Sequence, residues 1–462
     1  MNRLVIANAD VAGVRTDVHL RAGRIDAVGT GYARPSTPTL DAAGCAVLPG
    51  LHDHHLHLHA LAAHWRSIRC GPPHVTTAID LAAALASAPG DGWIRGVGYV
   101  ETVAGHLDAD ALDELCRNRP TRIQHRSGAM WVLNSTAAHL VDLQNATEPG
   151  VERDDSGRAT GRVWRADTWL RSRLPDHGPP PLDEVGMHLA AHGITGITDA
   201  TPDLDGRTFA ALTDAAATGA LPQRLQLLGV PLHRSGGRNV ATGPYKIVIA
   251  DSDLPDIEQL EDTIQRAHAL GRPVAVHCVS VEACWLLVAV FHAVGTVPGD
   301  RVEHGAVIPD EAIGTFHDLG LTVVTQPGFL ADRGDDYLRR VDPHDLESLY
   351  RCRSLLAAGI GLALSSDAPY GPVDPWRIVA AAVDRTAPDG RVVGQSETLT
   401  AASALDRLLA PLDDPGGPAR TIAVGADADL IVLDRPWAQM LDDPAAVRVR
   451  YTLVGSRVVF ER

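Results

Sequence analysis

One stretch guides the interpretation of the whole chain: Pro49-Gly50-Leu51-His52-Asp53-His54-His55-Leu56-His57-Leu58-His59, with five histidines in eight positions. Alternate side chains of a β-strand share a face, so a strand here would point Asp53, His55 and His57 in one direction. Neutral imidazole is the commonest metal ligand, and two such rings on one strand face can bind one ion. A lone His-x-His pair is more often surface or core histidine, so a metal site here requires ligands from elsewhere in the chain.

Length and composition limit the classes of protein that this chain can form. Its 462 residues suit one large barrel-type domain together with a smaller one. Hydrophobic residues make up 45% and charged residues 21%, as in ordinary globular proteins. The net charge of -16 disfavours nucleic acid and anionic membrane as partners, because both present phosphate groups. We therefore expect a small-molecule substrate, with a homo-oligomer left open.

No segment has the pattern of a secretion signal or a membrane span. Asn8 and Asp10 interrupt the N-terminal apolar run, and no apolar stretch is long enough to cross a bilayer. The six cysteines are scattered without CxxC pairs, which favours reduced thiols over a disulfide framework. These features predict a cytoplasmic protein.

The basic residues are almost all arginine. Lys246 is the only lysine, so 40 of the 41 basic residues are arginine. Codon bias can replace lysine by arginine wherever only a surface charge is needed. It would spare a lysine whose amine must lose its proton and react with carbon dioxide or a carbonyl, because a guanidinium stays protonated. Lys246 is therefore a candidate functional residue.

The middle of the chain alternates strand-like and helix-like patterns. Amphipathic spacing predicts helices at 257–270 and at 312–319, each ending before a glycine. Eight strands with intervening helices predict a (β/α)8 TIM-type barrel, whose functional residues lie at the carboxyl ends of the strands. The predicted strands are His55–Leu58, Gly193–Asp199, Leu225–Pro231, Tyr245–Ala250, Val274–His277, Arg301–Gly305, Thr322–Gln326 and Gly361–Asp367.

The two chain ends carry strand patterns without helices. We expect residues 1–48 and 420–462 to form one small composite β-sandwich domain, and 49–419 to form the barrel. The segment from about 60 to 190 is too long for one βα unit, so it is interpreted as an insertion after the first barrel strand, with Glu152–Arg162 as a polar loop. The strands predicted at the ends are 4–11, 18–29 with a turn at Ala22-Gly23, 39–48, 428–433, and 447–460 with a turn at Gly455-Ser456.

Polar side chains recur at one end of the predicted barrel strands. Singly, a histidine there is more often a structural group, and an aspartate is commonly a helix cap. Six in this order predict one shared site at the barrel mouth. They are His55 and His57 on the first strand, Lys246 on the fourth, His277 on the fifth, His304 on the sixth and Asp367 on the eighth.

The order of these motifs resembles the amidohydrolase superfamily of metal-dependent hydrolases. Residues 49–57 match its Pro-Gly-x-x-Asp-x-His-x-His signature, and Val302-Glu303-His304 and Ser366-Asp367-Ala368-Pro369 match its sixth- and eighth-strand motifs. The long insertion, with Arg126-Ser127-Gly128 and Asn134-Ser135, is similar to that of amidohydrolase family 3, the branch of the N-substituted formamide deformylases. The resemblance covers nearly the whole chain and is specific for the superfamily and its metal site, but poorly specific for the substrate.

The resemblance implies a binuclear metal centre. His55, His57 and Asp367 would hold one divalent ion, His277 and His304 would hold the other, and N6-carboxylated Lys246 would bridge them. Zinc is the default ion for such a ligand set, although manganese, iron or cobalt could replace it. Asp53 would orient a ligand or anchor its strand.

The implied activity is that of an amidohydrolase cleaving a C–N bond, other than a peptide bond, in a small amide, formamide or cyclic amide. Metal-activated hydroxide would attack the carbonyl, while Asp367 would take the proton and deliver it to the leaving nitrogen. The candidate substrate-binding residues are Arg126, Trp131, Gln326 and Tyr370, for which surface or packing roles are equally compatible.

Two other functions fit parts of the same pattern. A mononuclear deaminase on this fold would lack the bridging lysine and commonly has a glutamate three residues after the fifth-strand histidine, where this chain has Ser280. A scaffold protein that has lost catalysis would usually lack some of the ligands, and none is missing here. The sequence therefore favours the hydrolase.

Overall fold

The computed structural model describes residues 3–30, 37–176, 178–237, 240–249 and 254–462. The chain divides into two compact units. The first combines Met1–His59 with Pro181–Arg462, and the second is Ala60–Pro180. Each unit contains its own clusters of buried apolar side chains.

Strands occur in both units. They are β1 (Arg3–Val11), β2 (Val14–Arg21), β3 (Arg24–Val28), β4 (Thr39–Asp41), β5 (Val47–Pro49), β6 (Leu51–Leu56), β7 (Ile68–Arg69), β8 (Ile94–Tyr99), β9 (Thr121–His125), β10 (Met130–Leu133), β11 (Val151–Arg153), β12 (Ala159–Trp164), β13 (Ile194–Asp199), β14 (Arg224–Leu227), β15 (Val240–Thr242), β16 (Tyr245–Val248), β17 (Val274–Cys278), β18 (Arg301–His304), β19 (Thr322–Thr325), β20 (Gly361–Leu364), β21 (Leu430–Leu433), β22 (Val449–Val454) and β23 (Arg457–Glu461).

The helices are mostly short. They are α1 (Leu58–Trp65), α2 (Ala78–Ala86), α3 (Glu101–Ala104), α4 (Ala109–Leu115), α5 (Ser135–Leu140), α6 (Asp167–Arg173), α7 (Asp183–Ala191), α8 (Gly206–Thr218), α9 (Ile257–Ala269), α10 (Val281–Val294), α11 (Asp310–Asp318), α12 (Gly328–Arg340), α13 (Arg353–Ala357), α14 (Pro375–Asp384), α15 (Ala401–Asp406) and α16 (Trp437–Asp442). In the described part of the chain, none of them combines the length and apolar character needed to cross a bilayer. All six cysteines are free thiols, and the cytoplasmic location stays a prediction.

Two parallel sheets of the first unit contain all eight predicted barrel strands. Their orders are β15-β14-β13-β6 and β16-β17-β18-β19-β20, with the short β15 as an addition. The strand positions are confirmed to within a few residues, although Ala250, the end of one predicted strand, lies outside the described residues. The first strand runs from Leu51 to Leu56 instead of the predicted His55–Leu58, so His57 lies just beyond its end. The chain turns into α1 there, and the Leu58 amide donates to the Asp199 carboxylate at 2.8 Å.

Helices form where amphipathic spacing coincides with a capping side chain. Asp256 precedes α9 and accepts hydrogen bonds from the backbone amides two and three residues later, at 2.9 and 3.2 Å. Leu260, Ile264 and Ala267 lie on one face of this helix and are buried. The helix predicted at 257–270 is thus confirmed, and α11 confirms the helix predicted at 312–319.

Backbone hydrogen bonds connect the two parallel sheets near the polar strand ends. The Lys246 amide on β16 donates to the carbonyl of Leu228, just after β14, at 3.2 Å. On the other side, the Asp367 amide donates to the carbonyl of His55 at 2.8 Å, and the His57 amide donates to Ala368 at 2.9 Å. The first unit therefore has an α/β architecture in which strands distant in sequence present their carboxyl ends side by side.

The chain ends contribute two further sheets to the first unit, with the orders β3-β2-β1-β4 and β23-β22-β21-β5. One buried cluster joins apolar side chains of both ends, including Ile6, Leu20, Leu430 and Leu453. The predicted turn at Ala22-Gly23 is confirmed, with φ values of 52° and 84°. Both central residues lie in the left-handed region, as a two-residue hairpin turn requires.

The second unit is built on the sheet β11-β12-β10-β9-β8-β7. The predicted polar loop at Glu152–Arg162 is wrong, because this segment forms most of the β11–β12 hairpin. Val151 and Val163 are paired and buried, while the polar residues occupy alternate and turn positions. Asp154 closes the turn by accepting hydrogen bonds from nearby backbone amides at 2.9 and 3.0 Å. A strand with one face in solvent carries polar residues at alternate positions, so its composition can resemble that of a loop.

The shared core of the chain ends predicts a large effect of truncating Ile6, which is 0% exposed. Ile6→Ala should lower the free energy of unfolding by about 2–5 kcal/mol, because it leaves a cavity. Urea denaturation followed by circular dichroism measures this loss. Val14→Ala in the same hairpin is the control, because Val14 is 65% exposed and should change stability by no more than about 0.5 kcal/mol. Equal losses in the two variants would contradict the assignment of Ile6 to this core.

Candidate metal centre

Three predicted ligands lie together at the ends of β6 and β20. One ligand atom each from His55, His57 and Asp367 lies within 4.8 Å of the others. The Asp367 Oδ1 atom is 3.2 Å from His57 Nε2 and 3.5 Å from His55 Nε2. Asp367 has a φ of 51°, an uncommon conformation for a residue other than glycine that is often found at functional sites. Two imidazoles and a carboxylate at these distances are a suitable ligand set for a divalent ion.

The other two predicted histidine ligands lie beside this group. The ring centroids of His277 and His304 are 4.5 Å apart, and those of His304 and His55 are 4.8 Å apart. His304 ends β18 with a φ of 71°, which again places a polar side chain in the left-handed region at a strand end. Burial lowers the pKa of both His55 and His304 well below the usual value. The two rings are therefore kept neutral, the form that binds metal.

Lys246 lies in the same group of side chains. It is buried on β16, and its Nζ atom has no hydrogen-bond partner among the described residues. Burial lowers the pKa of the amine to about 8, although the charges of Glu303 and Asp367 act in the opposite direction. Burial disfavours the ammonium form, so the neutral amine becomes accessible near neutral pH.

Glu303 is a functional candidate that the sequence analysis did not single out. It is fully buried on β18, one residue before His304, and its Oε2 atom accepts a hydrogen bond from Nδ1 of His55. Its other oxygen accepts from Nε of Arg301 at 2.6 Å. Its place in the Val302-Glu303-His304 motif was the available signal, but motif position alone did not reveal a contact with His55.

Gln326 was predicted as a substrate-binding residue, but its contacts favour another role. Its side chain is fully buried, and its Oε1 atom accepts a hydrogen bond from Nδ1 of His304 at 2.9 Å. Its Nε2 atom donates to Ser365 Oγ at 2.9 Å and to the Val324 carbonyl at 3.3 Å. The amide is thus committed to the protein, which favours the positioning of His304 over a contact with substrate.

Asp53 connects the two strand ends that carry the ligands. Its carboxylate accepts hydrogen bonds from Ser366 Oγ at 2.5 Å, and from the backbone amides of Ser366 and His55 at 3.2 Å. Burial raises the pKa of this carboxyl to about 6, against the effect of these hydrogen bonds. These contacts agree with the expected role of Asp53 in anchoring the strand.

The remaining substrate-binding candidates occupy three different environments. The ring centroid of Tyr370 is 5.8 Å from that of His57, and the residue is partly exposed. Trp131 is buried in the second unit, and its Nε1 atom donates to Asp167 at 2.8 Å. Arg126, also in the second unit, is partly exposed just after β9. Packing therefore accounts for Trp131, and Tyr370 remains the candidate beside a predicted ligand.

Several polar atoms of this group are arranged as expected for ligands of a bound cation. His55 Nε2, Lys246 Nζ and Asp367 Oδ1 are all buried, and none has a hydrogen-bond partner in the described part of the chain. Buried polar atoms are rarely left in this way, and a metal ion or a polar group between them would satisfy them. The described residues thus fit a metal centre of nitrogen and oxygen ligands.

Comparisons with known proteins relate the chain to amidohydrolases. The model of the amidohydrolase family matches residues 39–460. The chain is 27% identical to N-substituted formamide deformylase of Arthrobacter pascens, with 94% of each chain covered.

Solved structures share the fold of the chain. An uncharacterized metal-dependent hydrolase from Pyrococcus horikoshii has a TM-score of 0.75 at 19% identity, covering 96% of this chain and 99% of that one. N-isopropylammelide isopropylaminohydrolase from Burkholderia multivorans has a TM-score of 0.56 at 16% identity, covering 99% and 98%. These likenesses support a TIM-barrel-type α/β fold.

The contacts of Asp53 predict that Ser366→Ala destabilises the protein. The variant removes a hydroxyl donor from a buried carboxylate, and a buried polar group that loses a partner costs about 1–3 kcal/mol. The loss should appear as a lower urea midpoint. Ser396→Ala is the control, because the Ser396 hydroxyl bonds Glu347 at the surface. A Ser366→Ala variant as stable as Ser396→Ala would contradict the anchoring role.

Proposed function

Because the chain belongs to the amidohydrolase family, we propose that it is a metal-dependent hydrolase that cleaves a C–N bond, other than a peptide bond, in a small molecule. The observation that carries this proposal is the convergence of His55, His57 and Asp367 with a buried Lys246 whose amine has no partner among the described residues. Amides, formamides and cyclic amides are the substrate classes. The likeness to N-substituted formamide deformylase makes N-substituted formamides the first candidates.

The proposed centre uses all six polar residues predicted at the strand ends. His55, His57 and Asp367 would hold one divalent ion, and His277 and His304 would hold the other. Lys246, as an N6-carboxylated lysine, would bridge them, and zinc is the expected metal. When bound, the ions polarise the substrate carbonyl and lower the pKa of the attacking water.

Lys246 can form the bridging group because burial lowers the pKa of its amine to about 8. The neutral amine attacks carbon dioxide, an N–C bond forms as one C–O π bond opens, and one proton passes from the nitrogen to solvent. The product is a carbamate whose single negative charge is shared by two oxygens, whereas the ammonium form would repel a divalent metal. Arginine could not make this change, because its guanidinium stays protonated.

Asp367 is the proposed proton carrier. Its carboxylate has two oxygens, so one could bind an ion while the other accepts a proton from water. The same carboxyl then donates that proton to the leaving nitrogen, so that the amine departs as a neutral group. The Nε2 atoms of His57 and His55 lie beside this carboxyl, 3.2 and 3.5 Å from Oδ1.

Three features of the fold surround this centre in the proposal: a closed barrel, a composite β-sandwich and an insertion. We propose that the two parallel sheets close into one eight-stranded barrel, supported by the hydrogen bonds of Lys246 to Leu228 and of Asp367 to His55. Residues 1–48 and 420–462 form a composite β-sandwich beside it, supported by their common buried cluster. Residues of about 60–190 form an insertion.

Metal analysis tests the binuclear centre. Purified protein grown with zinc should contain about two ions per chain, and chelation should abolish hydrolysis, with recovery on adding zinc. Elemental analysis and a hydrolysis screen of N-formyl, N-acyl and cyclic amides measure both. About one ion per chain with ammonia release from an amine would favour the mononuclear deaminase. Protein that takes up no metal would favour the scaffold.

Loss and rescue of Lys246 test the carbamate. Lys246→Ala should lose at least about 100-fold in kcat, because metal ligands and their supports contribute at this scale. Short carboxylic acids should restore part of the activity, since a carboxylate can occupy the space of the carbamate. His277→Ala is the control and should not respond to these acids. Full activity of Lys246→Ala without added acid would refute the bridging role.

A further inference from the structure

We propose that Glu303 and Gln326 are positioning residues that make the two ion positions unequal, so that the ion at His55 is bound more tightly than the ion at His304. This inference rests on the proposed function, since it takes His55 and His304 as ligands of different ions. It assigns each of these histidines a hydrogen-bond partner on its Nδ1 atom.

Glu303 fixes the tautomer of His55. A carboxylate can only accept, so Nδ1 of His55 carries the proton that it donates to Oε2 of Glu303. The other nitrogen, Nε2, is left with its lone pair free, and it is the atom that lies 3.5 Å from Asp367. Arg301 donates to Glu303 from the opposite side at 2.6 Å and holds the carboxylate in this position.

Gln326 fixes His304 in the same manner but with a neutral group. Its Nε2 atom faces the Val324 carbonyl, which can only accept, so the orientation of the amide is settled and Oε1 faces His304. Nδ1 of His304 therefore donates to Gln326, and Nε2 keeps its lone pair. Gln326 follows β19, a strand that supplies none of the proposed ligands.

The two partners differ in chemical type, since His55 faces a carboxylate, itself paired with Arg301, and His304 faces a neutral amide. A ligand imidazole becomes more positive when it binds a cation, and a carboxylate on its far side stabilises that change more than a neutral amide does. Glu303 and Gln326 are both fully buried, so solvent screens this difference weakly. The His55 position also contains the carboxylate of Asp367. Both charges favour tighter binding at His55.

Zinc titration of the full-length apoprotein, in competition with a chromophoric chelator, tests the proposal. Wild type should bind two ions in two resolved steps. Glu303→Gln, which keeps the shape but removes the charge, should weaken the tighter step by about 10–100-fold. Gln326→Leu, which removes the acceptor from His304, should weaken only the weaker step. One cobalt(II) equivalent should give a visible spectrum that Glu303→Gln alters and Gln326→Leu does not.

Glu397→Gln is the matched control. Glu397 is another buried glutamate that accepts from an arginine, Arg351, at 3.2 Å, and from the backbone amides of Cys352 and Ser354 at 3.0 Å. This variant should lower the melting temperature without changing either metal-binding step. If Glu303→Gln does not fold, Gln326→Leu decides, because a weakened first step in that variant would refute the proposal.

The outcomes separate this inference from the proposed function. Two-step zinc binding that is the same in wild type and Glu303→Gln refutes the positioning role and leaves the hydrolase intact. Wild-type protein that takes up no zinc refutes both proposals. Weakening of only the tighter step in Glu303→Gln and of only the weaker step in Gln326→Leu supports the positioning of His55 by Glu303 and of His304 by Gln326.

Discussion

Burial of the Lys246 amine is the constraint on which the rest of the site depends. A buried ammonium is costly, and the Nζ atom has no hydrogen-bond partner among the described residues to offset that cost. The carboxylates of Glu303 and Asp367 favour the charged form, yet burial outweighs them and lowers the pKa to about 8. An arrangement of this kind is poor for stability and suited to reactive chemistry, as is typical of functional sites.

Parallel strands explain how residues far apart in the chain meet at this lysine. Adjacent parallel strands end at the same edge of a sheet, so the residues at their carboxyl ends become neighbours. His304 and Asp367 leave their strands in left-handed conformations, with φ values of 71° and 51°. Asp53 then ties the end of β6 to Ser366 through the hydroxyl and the backbone amide. Strand geometry and one buried carboxylate thus hold the ligands in register.

A local pattern is least informative where the role of a side chain depends on its neighbours. Trp131 and Gln326 have the residue types of substrate contacts, but both are buried and hydrogen-bonded within the protein. The segment that forms the β11–β12 hairpin has the composition of a loop, because its polar residues outnumber the alternate buried ones. In each case the residue types indicated polar groups. Only the packing showed which partners those groups contact and which face of the strand they occupy.

The sequence by itself determined the strand positions of the α/β fold and the six candidate ligands, because hydrophobic periodicity and motifs at strand ends are local properties. Only the tertiary structure revealed the partners of those ligands. Glu303 contacts His55 across 248 residues, and Ser366 contacts Asp53 across 313 residues. Such pairs depend on which strands become neighbours and in which register. Those choices are made by burial of the whole core, and no local pattern records them.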